Sequence, residues 1–365
     1  MQWFESYLKN RSFSVKINKE TSCIEIVIHG VPQGSILGPL LFILYTKELA
    51  NIVAKFNLKL HLYADDSSIY VEFNPRDPID IASTLENISL CLKEVKRWMT
   101  INYLRVNEDK TKFFLVGHRS TLRECNLELE IDFCGTTVIS KVLSDPENSD
   151  VGKSLGVLLD NDFSMLRHIL NVKKTCFNHL RNLRNIKEYL ETDDKLALVK
   201  SLILSRIDFG NALFANIPDC HLKHLHRVIN ACLRFIYNLS YNDSIKQYYM
   251  ESHILPIEYR IKFKILILVH KSVYGSGPEY LNNLLSCHTP NWVGRGMGLR
   301  SSADTSLLKV KHNAKTSQFA KRRFSIYAPI EWNCLPSYIR DCANLDEFKK
   351  LLKTYFFEIF EQSFH

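Results

Sequence analysis

The hydrophobic period of the chain changes near residue 165, and that change limits the folds open to it. Before it, short runs alternate apolar and polar residues as half-buried strands do, among them "FSVKI" (13–17), "IEIVI" (24–28), "FFLVG" (113–117), "LELEIDF" (127–133) and "TTVIS" (136–140). "HGVPQGSILGPLLFILYTKEL" reads as a glycine- and proline-punctuated loop entering an apolar helix that ends near Ile52. Ile81, Leu85, Ile88, Leu92, Val95 and Met99 recur at spacings of four and three, so a further helix lays one face on a sheet. After residue 165 helical spacing takes over: Thr192 caps a helix carrying Leu196, Val199 and Ile203, and residues 220–239 form another. The polar run "SDPENSDVGKS" (144–154) is a loop, and Asn344 with Glu347 makes a capping box before the last helix. The expected class is α+β: an antiparallel sheet with packed helices over 1–165, a helical region over 166–285, and a basic, loop-rich region over 286–365 that closes on a helix.

The most unusual short stretch is "LHLYADDSSIYVEF" (60–73). Leu58, Leu60, Leu62 and Ala64 alternate on one side, Ile69, Val71 and Phe73 on the other, so two strands meet at Asp65 and Asp66. Adjacent carboxylates repel, and a divalent cation bound by both offsets that repulsion. An ordinary Asp-rich turn is the alternative reading, because Asp favours turns through hydrogen bonds to its own backbone.

Charge divides unevenly: residues 1–165 carry 18 Lys and Arg against 22 Asp and Glu, residues 166–365 carry 29 against 17, and the whole chain is +8. The second part, a balance of +12, is a candidate surface for a polyanion, or a set of well-solvated helix faces. The longest apolar runs, "ILGPLLFILY" and "ILILV", are too short to span a bilayer, and no secretory signal opens the sequence, so an intracellular protein, nuclear or cytoplasmic, is expected. Ten cysteines without regular spacing or a CxxC pair read as reduced, mostly buried thiols. "CHLKHLH" (220–226) crowds one Cys and three His, but about 100° per residue on a helix scatters them around the axis. "GRGMG" (294–298) lacks the setting of a dinucleotide loop, and "GVPQGSILG" lacks the Lys and Ser/Thr of a P-loop.

Together, "HGVPQGSILGPLLFILYTKEL" and the nearby "LYADD" resemble the reverse transcriptases of non-LTR (LINE-type) retrotransposons. In that family a glycine-rich loop and helix precede the metal-binding hairpin of the polymerase palm. "LRVNEDKTKFFLVG" (104–117) is similar to the next family motif, "SLGVLLDNDFSMLRHI" (154–169) to the segment leading into the thumb, and residues 300–357 to the tails of such polyproteins. The resemblance implies RNA-directed DNA polymerase activity with Mg²⁺ or Mn²⁺, an RNA template, a DNA primer or target and deoxynucleotides, and no membrane. By it Asp65 and Asp66 are metal ligands, Asp65 the main one. Gln33, Gly34 and Tyr63 lie against nucleotide and strand, and Lys110 near the departing pyrophosphate.

The family also carries an aspartate on a palm strand upstream of the helix that "QWFESYLKNRSFSV" (2–15) resembles, together with fingers that grip the template. Neither is found in residues 1–365, and Glu5, Glu20 and Glu25 stand in the wrong contexts to replace the aspartate. These residues alone are therefore expected not to polymerise DNA. Two readings follow: a reverse transcriptase part with palm, thumb and tail, or a non-enzymatic remnant that binds nucleic acid through its basic half.

Overall fold

The computed structural model describes residues 2–31, 34–108, 110–125, 129–133, 135–139, 152–160, 162–286, 307–310 and 320–363. The fold is α+β, in two compact units, Met1–Asn148 and Ser149–His365.

In the first unit, helix α1 (Gln2–Leu8) leads to strand β1 (Arg11–Phe13), whose antiparallel partner is β4 (Glu25–Val27); between them β2 (Lys16–Ile17) and β3 (Glu20–Thr21) close the tip. Asn18 makes that tip possible with a φ of +56°, a conformation Asn adopts more readily than most residues. The expected single helix is instead two, α2 (Gly38–Thr46) and α3 (Glu48–Ala54), parted at Lys47. The Thr46 hydroxyl donates to the Phe42 carbonyl at 2.9 Å, a back-bond that bends helices.

Strands β5 (Lys59–Tyr63) and β6 (Asp66–Tyr70) form the acidic hairpin, and α4 (Pro78–Ile101) is the helix seen in the periodicity. The Asp77 carboxylate caps α4 by accepting the Ile79 N–H at 3.0 Å, with Pro78 next, where its missing N–H costs nothing. All six of its expected inward residues are at least partly buried. After α5 (Arg119–Cys125), strands β7 (Glu130–Phe133) and β8 (Thr136–Ile139) pair, with Ile131 and Phe133 turned inward and β7 packed on α4. "FFLVG" is not a strand; only Phe114 makes an isolated bridge. Most of the 144–154 run, and the glycines at 294–298, lie outside the described residues.

The second unit opens with the hairpin β9 (Gly152–Ser154) and β10 (Val157–Leu159), turned by Leu155 and Gly156 at φ +47° and +88°. Helix α6 (Leu166–Arg184) follows, then α7 (Thr192–Val199), a π-helical turn at Lys200–Leu204 and α8 (Ser205–Asp208) as one run. Its N-cap is Glu191, one residue before the expected Thr192, because Glu191 and Asp194 bond reciprocally to each other's backbone. Helices α9 (Asp219–Ile236), α10 (Lys246–Glu251), α11 (Ile257–Val273), α12 (Glu279–Asn282), α13 (Phe324–Asn333), α14 (Ser337–Arg340) and α15 (Leu345–Gln362) complete it. As expected, the Asn344 side chain caps α15 by accepting the Asp346 and Glu347 N–H groups at 2.9 and 3.1 Å.

One core runs from Val157 to Phe357, so α13 and α15 share it with α6, α9 and α11. Polar clamps tie its parts: Arg260 makes a bidentate pair with Asp208, and Arg322 donates to the carbonyls of Phe163, Leu213 and Ala215. The eight described cysteines are free thiols, but only Cys91, Cys176 and Cys232 are buried; Cys23, Cys220 and Cys334 are exposed, against the expectation of mostly buried thiols. Burial pushes the Cys91 and Cys176 thiols up to about 11, which leaves them protonated and inert.

Candidate active site

The acidic pair owes its position to the pleat. Leu60 faces Ile69 and Leu62 faces Ser67 across the ladder, and this half-buried side rests on the core of Leu49, Ile52, Val53, Cys91 and Val95 from α3 and α4. Residues opposite one another share a face, so Tyr63 and its partner Asp66 belong to the outer, exposed face with His61 and Ser68. Ala64 and Asp65 form the two-residue turn. Ala64 has a φ of +51°, which costs an L-residue about 1–2 kcal/mol, at a position where hairpins ordinarily use Gly. Backbone strain of this kind gathers at functional sites.

The turn separates the two carboxylates. Asp65, exposed at the tip, lines a cleft of about 190 Å³ together with Ser67, Thr46, Met99 and Arg105. Asp66 stands on the other face beside Tyr63, which is 62% exposed. The cleft has the volume of about six waters at ~30 Å³ each. Exposed carboxylate oxygens of this kind suit Mg²⁺, a hard cation that keeps several waters and needs only one or two carboxylates from a protein. Among the described residues no group of three or more His, Cys, Asp or Glu side chains gathers to hold a metal ion. The donor set therefore fits a hydrated cation held on one or two carboxylates, not an enclosing cage.

The other expected residues are placed variously. Gly34 has a φ of +82°, and nothing lies within 4 Å of where a Cβ would stand, so its backbone is open to an approaching strand. The Tyr7 and Ser35 hydroxyls bond to each other and tie this loop to α1, and the loop runs into α2, which walls the cleft through Phe42 and Thr46. Gln33 lies outside the described residues. Lys110 is exposed in a turn held by Asn107, whose side-chain oxygen accepts the Lys110 N–H at 3.1 Å, while the neighbouring Glu108 pairs with Lys96 of α4 at 2.7 Å. Lys110 is not among the residues that line the cleft; Arg105, five residues earlier in the same motif, is. The sequence reading passed over Arg105 because neither period nor spacing marks a single cation in a loop. The crowded histidines disperse as expected: His226 bonds to Glu258 of α11, while His221 and His224 do not join it.

Residues 1–157 match the family model described as reverse transcriptase (RNA-dependent DNA polymerase). Over these residues the chain is similar to the reverse transcriptase family. The expected kinship with LINE-type reverse transcriptases is borne out by relatives from mobile elements. The chain is similar to a probable RNA-directed DNA polymerase from transposon X-element of Drosophila melanogaster, 24% identical over 257 residues, or 66% of this chain and 26% of that protein. It is also 24% identical over 238 residues to the RNA-directed DNA polymerase from mobile element jockey of Drosophila funebris, covering 63% of this chain and 24% of that one. A probable RNA-directed DNA polymerase from transposon BS of Drosophila melanogaster is 28% identical over 188 residues. The matched stretches span about a quarter or less of these relatives' lengths. The acidic turn, the cleft and the Gly34 loop all fall within the matched residues. No described helix is long and apolar enough to cross a membrane.

Proposed function

We propose that residues 1–365 are part of an RNA-directed DNA polymerase in which the Ala64–Asp65 turn is the metal-holding tip of the palm. The observation that carries this reading is the division of the acidic pair, with Asp65 in the cleft and Asp66 on the outer face of a fully paired hairpin. Asp65 would be the principal ligand of Mg²⁺ or Mn²⁺ at the cleft, and Asp66, on the outer face, the second carboxylate available to a hydrated cation at the tip. A divalent cation, when bound there, would supply charge that activates a primer 3′-hydroxyl and neutralises an incoming deoxynucleoside triphosphate. Tyr63, on the face of Asp66, offers a flat ring to a base or sugar; Gly34, with Gln33 beside it, lets a strand approach the backbone; Lys110 would neutralise or protonate the departing pyrophosphate. Arg105 adds a fixed positive charge beside Asp65 where triphosphate oxygens would lie.

Residues 1–165 serve as palm, 166–285 as thumb and 286–365 as tail, with the excess of Lys and Arg beyond 165 facing an RNA template and a DNA primer. Two carboxylates are too few to place two cations and the reacting oxygens, so residues 1–365 alone bind metal but do not extend a primer. Without the further aspartate that the resemblance implies, the rate would be lower by several orders of magnitude, because phosphoryl transfer tolerates misplacement of only about 0.5–1 Å. The non-enzymatic reading is favoured by one observation: the second unit has its own large core, separate from the cluster under the acidic hairpin.

The test is primer extension on an RNA template with Mg²⁺ or Mn²⁺. Residues 1–365 should give no product, and the same residues joined to a relative's preceding region should extend the primer. Asp65→Asn in the joined protein should abolish extension and leave its melting unchanged. Extension by residues 1–365 alone would refute the requirement for a further ligand, and an active Asp65→Asn protein would remove Asp65 from the mechanism.

A further inference from the structure

Helices α6 and α9 pack side by side through Ile169, Val172, Cys176, Leu225, Val228 and Cys232, and at one edge of that seam positive groups collect without acids. His221, His224 and Arg227 follow one another every three residues along α9, and Lys173 of α6 reaches the same imidazole. Beside burial, two fixed cations act on His224, Lys173 across the seam and Arg227 on its own helix, and His221 stands one turn before it. The acid that α11 contributes, Glu258, is taken by His226, about 200° around α9 from His224. Among the described residues none of these four side chains enters an ion pair or hydrogen bond, whereas Lys93, Lys96 and Arg97 of α4 are each paired to a carboxylate. The Nδ1 atoms of His221 and His224 are buried without a partner, which leaves Nε2 as the ring atom each can offer a ligand.

Unneutralised cations held together on two packed helices are unfavourable unless an anion joins them. We infer that the α6–α9 seam binds consecutive phosphates of a nucleic-acid strand, with Lys173 and Arg227 as fixed charges and the imidazoles of His221 and His224 offering Nε2 to the phosphates. Six residues of α9 rise about 9 Å, the length of two to three phosphates at about 3.4 Å of helix axis per strand. Burial and the surrounding cations hold the His224 imidazole below the usual histidine range, so it is neutral in the free protein near pH 7. A phosphate at Nε2 reverses the repulsion, so binding at the seam tightens as pH falls. The inference rests on the polymerase-part reading above and says which face of its basic half meets the strand.

The experiment measures binding of a single-stranded RNA 20-mer to the full chain across salt and pH. K173Q/R227Q should weaken binding at least ten-fold at low salt and reduce the slope of log affinity against log salt by about 1.4, or 0.7 for each lost phosphate contact. H224Q should flatten the rise in affinity between pH 7.5 and 5.5, and K173R should bind as the native chain does. Melting curves show that the variants are folded, since all four side chains are exposed or half-buried. An unchanged salt slope in K173Q/R227Q would overturn the site, as would a variant defect confined to a nucleoside triphosphate probe. A native chain that binds no RNA at low salt would overturn both this inference and the reading beneath it; a native chain that binds, with both variants equal to it, overturns this one alone.

Discussion

Among the described residues, six buried apolar side chains form the cluster under the acidic hairpin, whereas thirty-nine form the one beneath the helices of the second unit. The surfaces differ in the same sense. Ile26 of β4 and Ile24 and Ile28 on either side of the strand are each about three-quarters exposed and Ile36 is 96% exposed, while the long helices α6, α9 and α11 turn nearly all their large apolar residues inward. Helices satisfy their own backbone and need only one apolar stripe covered, but a two-stranded ribbon is marginal in water without a third strand or a covering layer. The region with the candidate chemistry is therefore the weaker of the two, and its site is held by a few contacts around Leu60, Ile69 and α4.

The largest expected effect tests that contrast. Leu233→Ala, at a fully buried position of α9, should cost the second unit about 3–5 kcal/mol, whereas Leu60→Ala, at a half-buried hairpin position, should cost about 1–2 kcal/mol. Hydrogen exchange followed separately in the two units would show this, and equal costs would remove the distinction.

Acidification should act next. Burial lowers the pKa of His168 and His270 in the second unit, so the unfolded chain binds more protons than the folded one as pH falls below about 6.5. This contribution to stability is complete above that pH and is lost below it. The denaturation midpoint of the second unit, followed at the fully buried Trp332, should fall between pH 7 and 5.5, and a midpoint that rises over that range would contradict the assignment of neutral buried imidazoles.

Smaller effects concern the turns. Ala64→Gly relieves the positive φ at an entropic cost to the unfolded chain, a net gain of about 0.5 kcal/mol. Gly34→Ala meets no atom but must hold a φ of +82°, a loss of about 1 kcal/mol. If Ala64→Gly destabilises the hairpin instead, the turn is not strained as described.

Much of this architecture was legible because period records burial. The α4 stripe, the alternation on both sides of Asp65 and the cap at Asn344 each reflect one local rule that the folded chain obeys. What was not legible depends on partners. "FFLVG" has the residues of a strand, yet only Phe114 finds a bridge, since alternation says nothing about what lies alongside. The break at Lys47 follows from one hydroxyl bond, and the division of Asp65 from Asp66 follows from which residue pairs with Tyr63. Arg105 enters the cleft through the route of a loop, which no periodicity encodes.

The central claim, that the Ala64–Asp65 turn holds a divalent cation, is tested most directly by Mn²⁺-induced broadening of backbone amide signals in the full chain. The account predicts selective broadening centred on residues 63–67, reversed by excess Mg²⁺ and lost in Asp65→Asn. Broadening centred elsewhere, or unchanged in Asp65→Asn, would contradict it and leave the acidic pair as a turn.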